Sequence, residues 1–401
     1  MANNNENKVL NVPHLRFPEF SGEWEMVSLQ DIATINPKSD SLQNTFIYID
    51  LEAVEKGELR KMQEIMREEA PSRAQRVIDN NDILFQCVRP YQKNNYIHKT
   101  QNTSNQQWVA STGYAQIRTT ESPNYIYHLL NTDGFNRKVM VRCTGSSYPA
   151  INSEDLATIR FYLTTAPKEQ LKISRLLDLL DERIITQNKI IEKYESLIQA
   201  IIYQKKAAGI RKGDWQKTEL SNVLKERIEK NTNGYIICSV SVSQGVINQI
   251  EYLGRSFAAK ETLHYNVVKY GDIVYTKSPT GDFPYGIVKR SYIKDDVAVS
   301  PLYGVYMPVN DYIGVILHFY FMQPSNAFNY LHPLIQKGAK NTINITNERF
   351  LKNSIPLPKT ENEAIYIANT LISIQKKINI EKKMLRSYEK EKQYLLSKMF
   401  I

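Results

Sequence analysis

Residues 167–208 read PKEQLKISRLLDLLDERIITQNKIIEKYESLIQAIIYQKKAA, and they decide the fold because their pattern returns 194 residues later. Apolar side chains recur from Ile173 to Ile201 at alternating steps of four and three residues. That spacing predicts a heptad stripe along one face of a long helix. Adding 194 to each position gives a second stripe from Ile367 to Leu395. The sequence therefore predicts two long helices of one design.

The two stripes also share their irregular positions. A polar residue interrupts both at the same place, as Gln187 and Glu381, and Tyr194 coincides with Tyr388. One stripe alone would be typical of a core helix, but a shared polar position fixes register between partners. We therefore predict that the helices pair with each other as an antiparallel coiled coil. The predicted seam is Leu177, Leu180, Ile184, Gln187, Ile191, Tyr194, Ile198, Ile201, Leu371, Ile374, Ile378, Glu381, Leu385, Tyr388 and Leu395.

The repeat extends through the rest of the chain. Trp24 is matched by Trp215, 191 residues later, and Asn81–Phe85 is matched by Gly271–Tyr275 at 190. Chance matches would scatter in offset, so duplication of a unit of about 190 residues is the better explanation. Further matches are His128 with His318, Phe135-Asn136 with Phe328-Asn329, and Gly145 with Gly338.

The predicted fold class is α+β, with two similar α/β globules, two long helices and pseudo-two-fold internal duplication. Short β-type runs and turn residues fill each globule, whereas Pro167 suits the first turn of the first long helix. Gly209 and Gly213 are both suited to its end. The predicted segments are a tail over 1–14, a globule over 15–166, a helix over 167–209, a globule over 210–358 and a helix over 359–401.

Composition limits the class of protein. The 401 residues are 42% hydrophobic and 23% charged, which is ordinary for a folded chain and excludes a disordered or collagen-like one. Lys and Arg exceed Asp and Glu by 9, which is compatible with a polyanionic partner. Three scattered cysteines, Cys87, Cys143 and Cys238, favour a reducing compartment. The N-terminus has no signal-peptide pattern and the apolar run Gly314–Met322 is too short to span a membrane, so we expect a cytoplasmic protein without membrane contact.

Common catalytic and metal-binding motifs are missing from the sequence. No Gly is followed by Lys, which excludes a P-loop, and no two glycines are two residues apart, which excludes GxGxxG. The HExxH and GxSxG patterns are absent too, and the six histidines lie far apart. We therefore predict no catalytic residue and no metal ligand in this chain.

The predicted helices also suggest what the globules could read. About 35 helical residues form a rod of about 50 Å. Two similar globules at the ends of such a rod would present equivalent surfaces to one long partner, for which double-stranded DNA is a natural candidate. At about 3.4 Å per base pair, the contact centres would lie up to about 15 base pairs apart. This geometry predicts a split site with an unread spacer.

Candidate DNA contacts lie in four loops, two in each globule. The loop after each Asp-Ile strand combines amides and cations with aromatic side chains, and a glycine-bearing loop follows it in each half. The loops differ between the halves while the framework around them is kept, as two readers of different sequences would require. The predicted contacts are Arg89, Tyr91, Gln92, Lys93, Asn94, Asn95, Tyr96, Lys99, Ser146, Ser147, Tyr148, Lys277, Ser278, Thr280, Asp282, Tyr285, Lys289, Lys340, Asn341 and Thr342.

Several segments resemble the specificity subunit of type I restriction–modification systems. These are the leader PHLRFPEFSGEW over 13–24, the strand DILF over 82–85, the run from Gly145 to Leu156 and the helix start APKEQ over 166–170. The resemblance covers nearly the whole chain. It departs from the family pattern at the looser second helix start, 357–363, and at Lys392, which interrupts the second stripe. Either departure would weaken a docking surface on the second helix.

The resemblance implies a non-catalytic, DNA-binding subunit with two target recognition domains, each reading one half of a bipartite asymmetric site. The helices would act as a spacer ruler and dock two methylation subunits. Those partners would supply S-adenosylmethionine and adenine-N6 methylation, and restriction subunits would add ATP- and Mg-dependent cleavage. No cofactor is expected on this chain itself.

Two other classes of function remain open from the residues alone. The coil and globules could form a protein-interaction scaffold without DNA specificity, which predicts no salt-dependent DNA affinity. The chain could also be a self-contained modification enzyme with an unfamiliar site, which predicts transfer of label from S-adenosylmethionine by the chain alone.

Overall fold

The structure is a computed structural model, and it describes residues 10–99, 106–256, 258, 261–337 and 343–401. Contacts within the chain divide it into two units. The first unit contains Met1–Gln187 together with Met384–Ile401, and the second contains Asn188–Lys383. Each unit therefore includes one globule and a part of both long helices.

In the part of the first globule that the structure describes, the chain forms short strands and four short helices. Its strands are β1 (Glu25–Ser28), β2 (Ala33–Ile35), β3 (Thr45–Ile49), β4 (Val54–Glu55), β5 (Glu58–Leu59), β6 (Gln63–Met66), β7 (Ala74–Val77), β8 (Ile83–Gln86), β9 (Tyr96–Ile97), β10 (Gln107–Ser111), β11 (Tyr114–Thr119) and β12 (Arg160–Leu163). Its helices are α1 (Leu29–Ile32), α2 (Pro123–Leu130), α3 (Asp133–Arg142) and α4 (Ser153–Ala157). The long helix α5 (Pro167–Lys212) follows.

The second globule is also built from short strands and short helices. Its strands are β13 (Trp215–Glu219), β14 (Leu224–Glu226), β15 (Cys238–Ser241), β16 (Gly245–Asn248), β17 (Asn266–Val268), β18 (Ile273–Tyr275), β19 (Val288–Arg290), β20 (Val297–Val299), β21 (Gly304–Pro308), β22 (Gln336–Lys337), β23 (Ile343–Asn344) and β24 (Ser354–Pro358). Its helices are α6 (Gln249–Leu253), α7 (Asp311–Phe321), α8 (Pro324–Leu331) and α9 (Asn347–Leu351), and the long helix α10 (Glu361–Lys398) follows.

The sheets confirm the predicted α+β class and the duplication. One four-stranded sheet has the order β2-β11-β8-β9 in the first unit and β14-β21-β18-β19 in the second. A two-stranded antiparallel sheet, β1 with β12 and β13 with β24, opens and closes each globule. The first unit adds the sheet β6-β3-β10-β7, whereas the second has the hairpin β15-β16 and the pair β17-β20. The two globules thus share a framework and differ outside it.

The Asp-Ile strand begins from the same turn in both units. Asn81 and Gly271 lie 190 residues apart and both have positive φ, 72° and 91° respectively. A tight turn requires this conformation, which glycine adopts without steric cost. The following aspartates, Asp82 and Asp272, each accept a hydrogen bond from the backbone N–H three residues earlier, at 2.7 and 2.8 Å. Each of these buried carboxylates is also bound by an arginine from a neighbouring strand or loop. The carboxylate therefore belongs to the framework and satisfies buried backbone groups.

The leader segment is anchored to the first turn of α5 within the first unit. Arg16 binds the buried carboxylate of Glu169 through two hydrogen bonds of 2.6 and 2.9 Å, which raise the pKa of Arg16. Thr164 donates to the same carboxylate at 2.6 Å. Trp24 packs edge-on against Tyr125 and against Phe400 near the C-terminus. The PKEQ segment over 167–170 therefore holds the leader in place through the carboxylate of Glu169.

The first long helix extends past its predicted end. The predicted segment ends at Gly209, with Gly213 as the second glycine suited to the end of the helix. In the structure α5 continues to Lys212, and Gly213 follows in the left-handed conformation, with φ of 79°. Gly209 lies inside the helix, where an added Cβ would sit 1.9 Å from Cδ1 of Trp215. That position is glycine because an indole ring covers it. The second long helix begins at Glu361, two residues later than predicted.

The predicted seam residues are all buried or half-buried. Leu177, Leu180, Gln187, Ile191, Ile198, Leu371, Ile374 and Ile378 are buried, and Ile184, Tyr194, Ile201, Glu381, Leu385, Tyr388 and Leu395 are half-buried. In the first unit Arg183 of α5 lies over Tyr388 of α10, while Lys392 contacts Asp181. As the residue number on α5 rises from 181 to 183, the number of the contacting residue on α10 falls from 392 to 388. The two helical segments therefore run antiparallel in that unit.

The second unit contains the matching arrangement. Lys377 of α10 lies over Tyr194 of α5, and Lys205 of α5 lies over Tyr366 of α10. Lys377 lies 194 residues after Arg183, and Tyr388 lies 194 residues after Tyr194. The contact of Arg183 with Tyr388 in the first unit is therefore equivalent to the contact of Lys377 with Tyr194 in the second, with the two helices exchanged. The coincidence of the two tyrosines in the sequence thus reflects a repeated cation–π contact at about 6 Å.

One predicted match of the repeat is wrong. Phe135 is buried in α3, whereas Phe328 of α8 is exposed, so the offset of 193 does not pair equivalent positions. The residues preceding α3 and α8, Thr132 and Gln323, are 191 apart, and the burial patterns of the two helices agree at that offset. Phe328 therefore corresponds to Arg137. None of the described helices combines the length and apolar character needed to cross a bilayer.

Candidate nucleic-acid interface

The first unit brings its two predicted recognition loops together. Val88 and Ala150 form a β-bridge, and the Arg89 N–H donates to the carbonyl of Pro149 at 2.7 Å. The Arg89 guanidinium lies over the ring of Tyr148, 4.4 Å from its centroid. Loops separated by more than fifty residues in sequence therefore form one surface, with a cation held in place by an aromatic ring.

A tight turn sets the direction of the first loop. Arg89 and Lys93 both have positive φ, 55° and 53°, on either side of the 3-10 turn Pro90–Gln92. Gln86 fastens this turn, since its side chain donates to Gln92 at 3.0 Å and accepts from the Asn94 N–H at 3.1 Å. The loop is therefore held in one conformation before any ligand binds.

Asn95 corrects one prediction. We expected it to contact DNA, but it is only 2% exposed, and its side chain binds Gln86 N and Asn131 Oδ1 at 2.8 and 3.0 Å. It holds the loop from inside. Lys93 is also engaged, with Asp133 at 2.6 Å and the carbonyl of Asn131 at 3.1 Å.

The other predicted contacts of the first unit lie at or near its surface. Tyr91 and Tyr148 are 51% and 63% exposed, although aromatic rings of this size are usually buried. Lys99 is exposed and contacts the side chains of Asn81 and Asn124. Gln92, Ser146 and Ser147 are exposed, and Arg89, Asn94 and Tyr96 are half-buried.

The second unit has a loop with the same origin and a different surface. Lys277 lies two residues after the end of β18 and has positive φ, 61°. It is half-buried, and desolvation lowers its pKa. Gly286 closes the loop, since an added Cβ would lie 2.8 Å from the Lys277 nitrogen. The Tyr275 hydroxyl donates to the carbonyl of Tyr285 at 2.8 Å. The exposed part of the loop carries Ser278, Thr280 and Asp282.

Lys289 corrects a second prediction. It lies on β19 and is 4% exposed, so its side chain is not placed to contact a duplex. Burial lowers its pKa to about 8. The remaining predicted contacts of this unit, Lys340, Asn341 and Thr342, lie outside the described residues.

The structure adds an aromatic cluster that sequence reasoning missed. Phe328 and His332 stack with ring centroids 5.2 Å apart and planes within 15°, and Tyr285 lies 5.3 and 5.8 Å from them. The offset of 193 obscured this cluster, because it matched Phe328 with Phe135, which is buried. The helical spacing of Ala327, Tyr330 and Leu331 in the sequence is the signal that would have placed Phe328 away from the apolar face.

The loop surface of each unit offers groups of the kind that contact DNA. These surfaces carry guanidinium, ammonium, amide and hydroxyl donors beside aromatic rings, which are the groups that contact phosphates and base edges. Within the described part of the chain, no cluster of three or more His, Cys, Asp or Glu side chains could hold a metal ion.

Comparisons with known proteins agree with this reading. Residues 21–196 match the model of the family described as the type I restriction modification DNA specificity domain. Among solved structures, the type I restriction–modification S subunit from M. genitalium is 11% identical, with a TM-score of 0.59 and coverage of 97% of this chain and 99% of that chain. No curated protein matches the sequence significantly.

A second solved chain comes from a study of complex assembly and conformational transition of the type I R-M system. It is 18% identical, with a TM-score of 0.51, and the alignment covers 94% of this chain and 97% of that chain. Both structures share the fold over nearly their whole length. The match to the type I restriction modification DNA specificity domain lies in the first half of this chain, and the sheet framework of that half is repeated in the second.

Proposed function

We propose that this chain is the sequence-reading subunit of a type I restriction–modification complex, in which each unit reads one half of a bipartite asymmetric DNA site. The observation that carries this proposal is the contrast between the two units. An equivalent strand, β8 or β18, leads in each into a loop that starts near a cation with positive φ, Arg89 or Lys277. The residues beyond that point differ in chemistry, as separate readers of different half-sites require.

The first loop is suited to direct reading of a base pair. Arg89 is half-buried and oriented by Tyr148, and an arginine fork pairs with guanine O6 and N7 in the major groove. Fixing the guanidinium in advance lowers the conformational entropy lost on binding. The exposed Gln92 and the serines 146 and 147 add amide and hydroxyl groups beside it.

The long helices would set the spacer and dock two methylation subunits. In the second unit a groove of about 490 Å³ between α5 and α10 is lined by Tyr194, Leu197, Tyr366 and Ile374. Leu197 and Tyr366 are exposed in this groove, and exposed aromatic and apolar side chains of this kind mark protein interfaces. The methylation subunits would bring S-adenosylmethionine and transfer methyl groups to adenine N6, and restriction subunits would add ATP- and Mg-dependent cleavage.

The experiment is co-expression of this chain with the adenine methylation subunit of its host in a strain free of methylation. Modified adenines are then mapped across the genome. We expect one split motif with a fixed spacer, and none when either protein is expressed alone. A continuous motif, or methylation by this chain alone, would refute the proposal. A complex that purifies without methylating any site would show docking without reading.

A further inference from the structure

Helix α8 lies beside the loop that begins at Lys277, and one face of this helix is exposed. Phe328 projects from this face and is 40% exposed. Its ring stacks on His332, which lies in the turn just after α8, and contacts Tyr285 at the far end of the loop. We call Phe328 and His332 the aromatic pair. An isolated exposed apolar residue needs no explanation, but three rings meeting at the edge of a recognition loop do.

The duplication gives an independent reason to connect this position with DNA. Phe328 corresponds to Arg137 of the first unit, and Arg137 is also exposed. Helix α3, which carries Arg137, packs against the turn Pro90–Gln92, and Asn136 donates to the carbonyl of Pro90 at 3.1 Å. In both units, therefore, a helix contacts the recognition loop and carries a large exposed side chain, Arg137 or Phe328.

The two equivalent side chains differ in a way that restricts what each could contact. Arg137 carries a charge and donors, so it suits a phosphate or a guanine edge. Phe328 has neither, so it cannot bind phosphate. The apolar groups that a duplex presents in its grooves are the thymine methyl group and the carbons of deoxyribose, and phenylalanine is among the side chains that contact the thymine methyl.

We propose that Phe328, stacked on His332, is a further specificity-determining contact of the second unit, made with the apolar surface of the second half-site. His332 stacks on the Phe328 ring and Tyr285 contacts both rings, so two neighbours limit the motion of Phe328. This inference rests on the proposed function, since it assumes that the Lys277 loop reads DNA.

The test uses the full chain carrying Phe328→Ala, co-expressed with the methylation subunit as above. Duplexes bearing the motif of the unaltered complex are titrated, with the thymines of the second half-site replaced by deoxyuridine in a parallel set. We expect the variant complex to bind about tenfold more weakly and to tolerate changes in the second half-site, with the first half unchanged. If the thymine methyl is the contact, deoxyuridine weakens the unaltered complex and leaves the variant unaffected. If deoxyuridine has no effect on either complex, the contact is with deoxyribose, which carries no sequence information, and the specificity-determining role is overturned.

Two further variants keep the result interpretable. Phe328→Leu retains an apolar side chain in α8 without the flat ring and should give an intermediate loss if the alanine variant does not fold. Tyr252→Ala removes another exposed aromatic of the same unit, on α6, and should leave the motif unchanged. Unaltered affinity and motif in both Phe328 variants would overturn this inference alone. Absence of any split motif with the unaltered chain would instead overturn the proposed function.

Discussion

Lys392 of α10 forms an ion pair with Asp181 of α5 in the first unit, at the position where the second heptad stripe loses its apolar residue. Asp181 also lies 4.0 Å from His128 Nδ1, and the other ring nitrogen of His128 contacts Asp178 at 2.8 Å. From the sequence we expected Lys392 to weaken a docking surface on the second helix. Within the first unit it has a partner on the other helix, and such a pair favours one register of the two helices, as a polar seam position does.

Replacing Lys392 with alanine should therefore destabilise the chain by about 1 kcal/mol, because a half-buried carboxylate loses its partner. The free energy of unfolding in urea would be measured for Lys392→Ala, Asp181→Ala and the double variant. We expect the double variant to lose less free energy of unfolding than the two single variants lose in total. Strict additivity would show that the pair contributes no coupling energy.

Replacing Arg89 with alanine should alter reading of the first half-site and leave the second intact. The loss of a bidentate base contact costs about 1–3 kcal/mol of discrimination. Arg89→Lys should not restore it, because an ammonium lacks the planar fork. Mapping methylated adenines in each variant complex tests this, with Tyr148→Phe as the control that keeps the ring. A simultaneous change in both half-sites would contradict separate reading.

Replacing Gly209 with alanine should destabilise the second unit, although alanine favours helix by about 1 kcal/mol. The added Cβ meets the Trp215 ring at 1.9 Å, so the indole must move. A lower thermal midpoint together with a shift in tryptophan emission is expected. Gly134→Ala is the matched control, because the nearest atom to its added Cβ is 4.0 Å away. Equal midpoints for the two variants would exclude the packing role.

Acidification should destabilise the second unit through His318. Burial and the nearby charges of Lys289 and Arg290 lower its pKa to about 3 from 6.5, and its Nδ1 accepts from the Arg290 N–H at 3.1 Å. The unfolded chain binds this proton first, so the stability is complete above pH 6.5 and is lost as the pH falls towards 3. At pH 5 the loss is about 2 kcal/mol.

The check is unfolding in urea at several pH values. His318→Asn keeps an acceptor for Arg290 but cannot take up the proton, so its stability should vary less between pH 7 and 5. His14→Gln alters an exposed histidine and should retain the full pH dependence. If the His318 variant loses as much stability on acidification as the unaltered chain, the assignment is wrong.

Seven residues inserted at matched positions in both long helices should lengthen the unread spacer by about 3 base pairs, since one heptad adds about 10 Å. Insertion into one helix alone should misalign the pairing and lower methylation. The motif recovered from genome-wide mapping supplies the measurement. A spacer of unchanged length with the matched insertion would remove the ruler role.

The sequence by itself determined the duplicated framework. Local patterns carry that information, because heptad spacing fixes which face of a helix is apolar and the turn before Asp82 and Asp272 depends on residues adjacent in the chain. The long helices, the repeated Asp-Ile strands and the pairing of Tyr194 with Tyr388 as equivalents could all be predicted in this way. The family resemblance rested on the same segments.

Only the tertiary structure decided which side chains remain available for a ligand. Asn95 and Lys289 have residue types suited to DNA, yet both are buried, because exposure depends on strands and helices distant in sequence. The contacts of Arg89 with Tyr148 and of Tyr285 with Phe328 arise in the same way, between segments distant in the sequence. Residue type and spacing fix the local structure, whereas the surface of a site is a property of the packed chain.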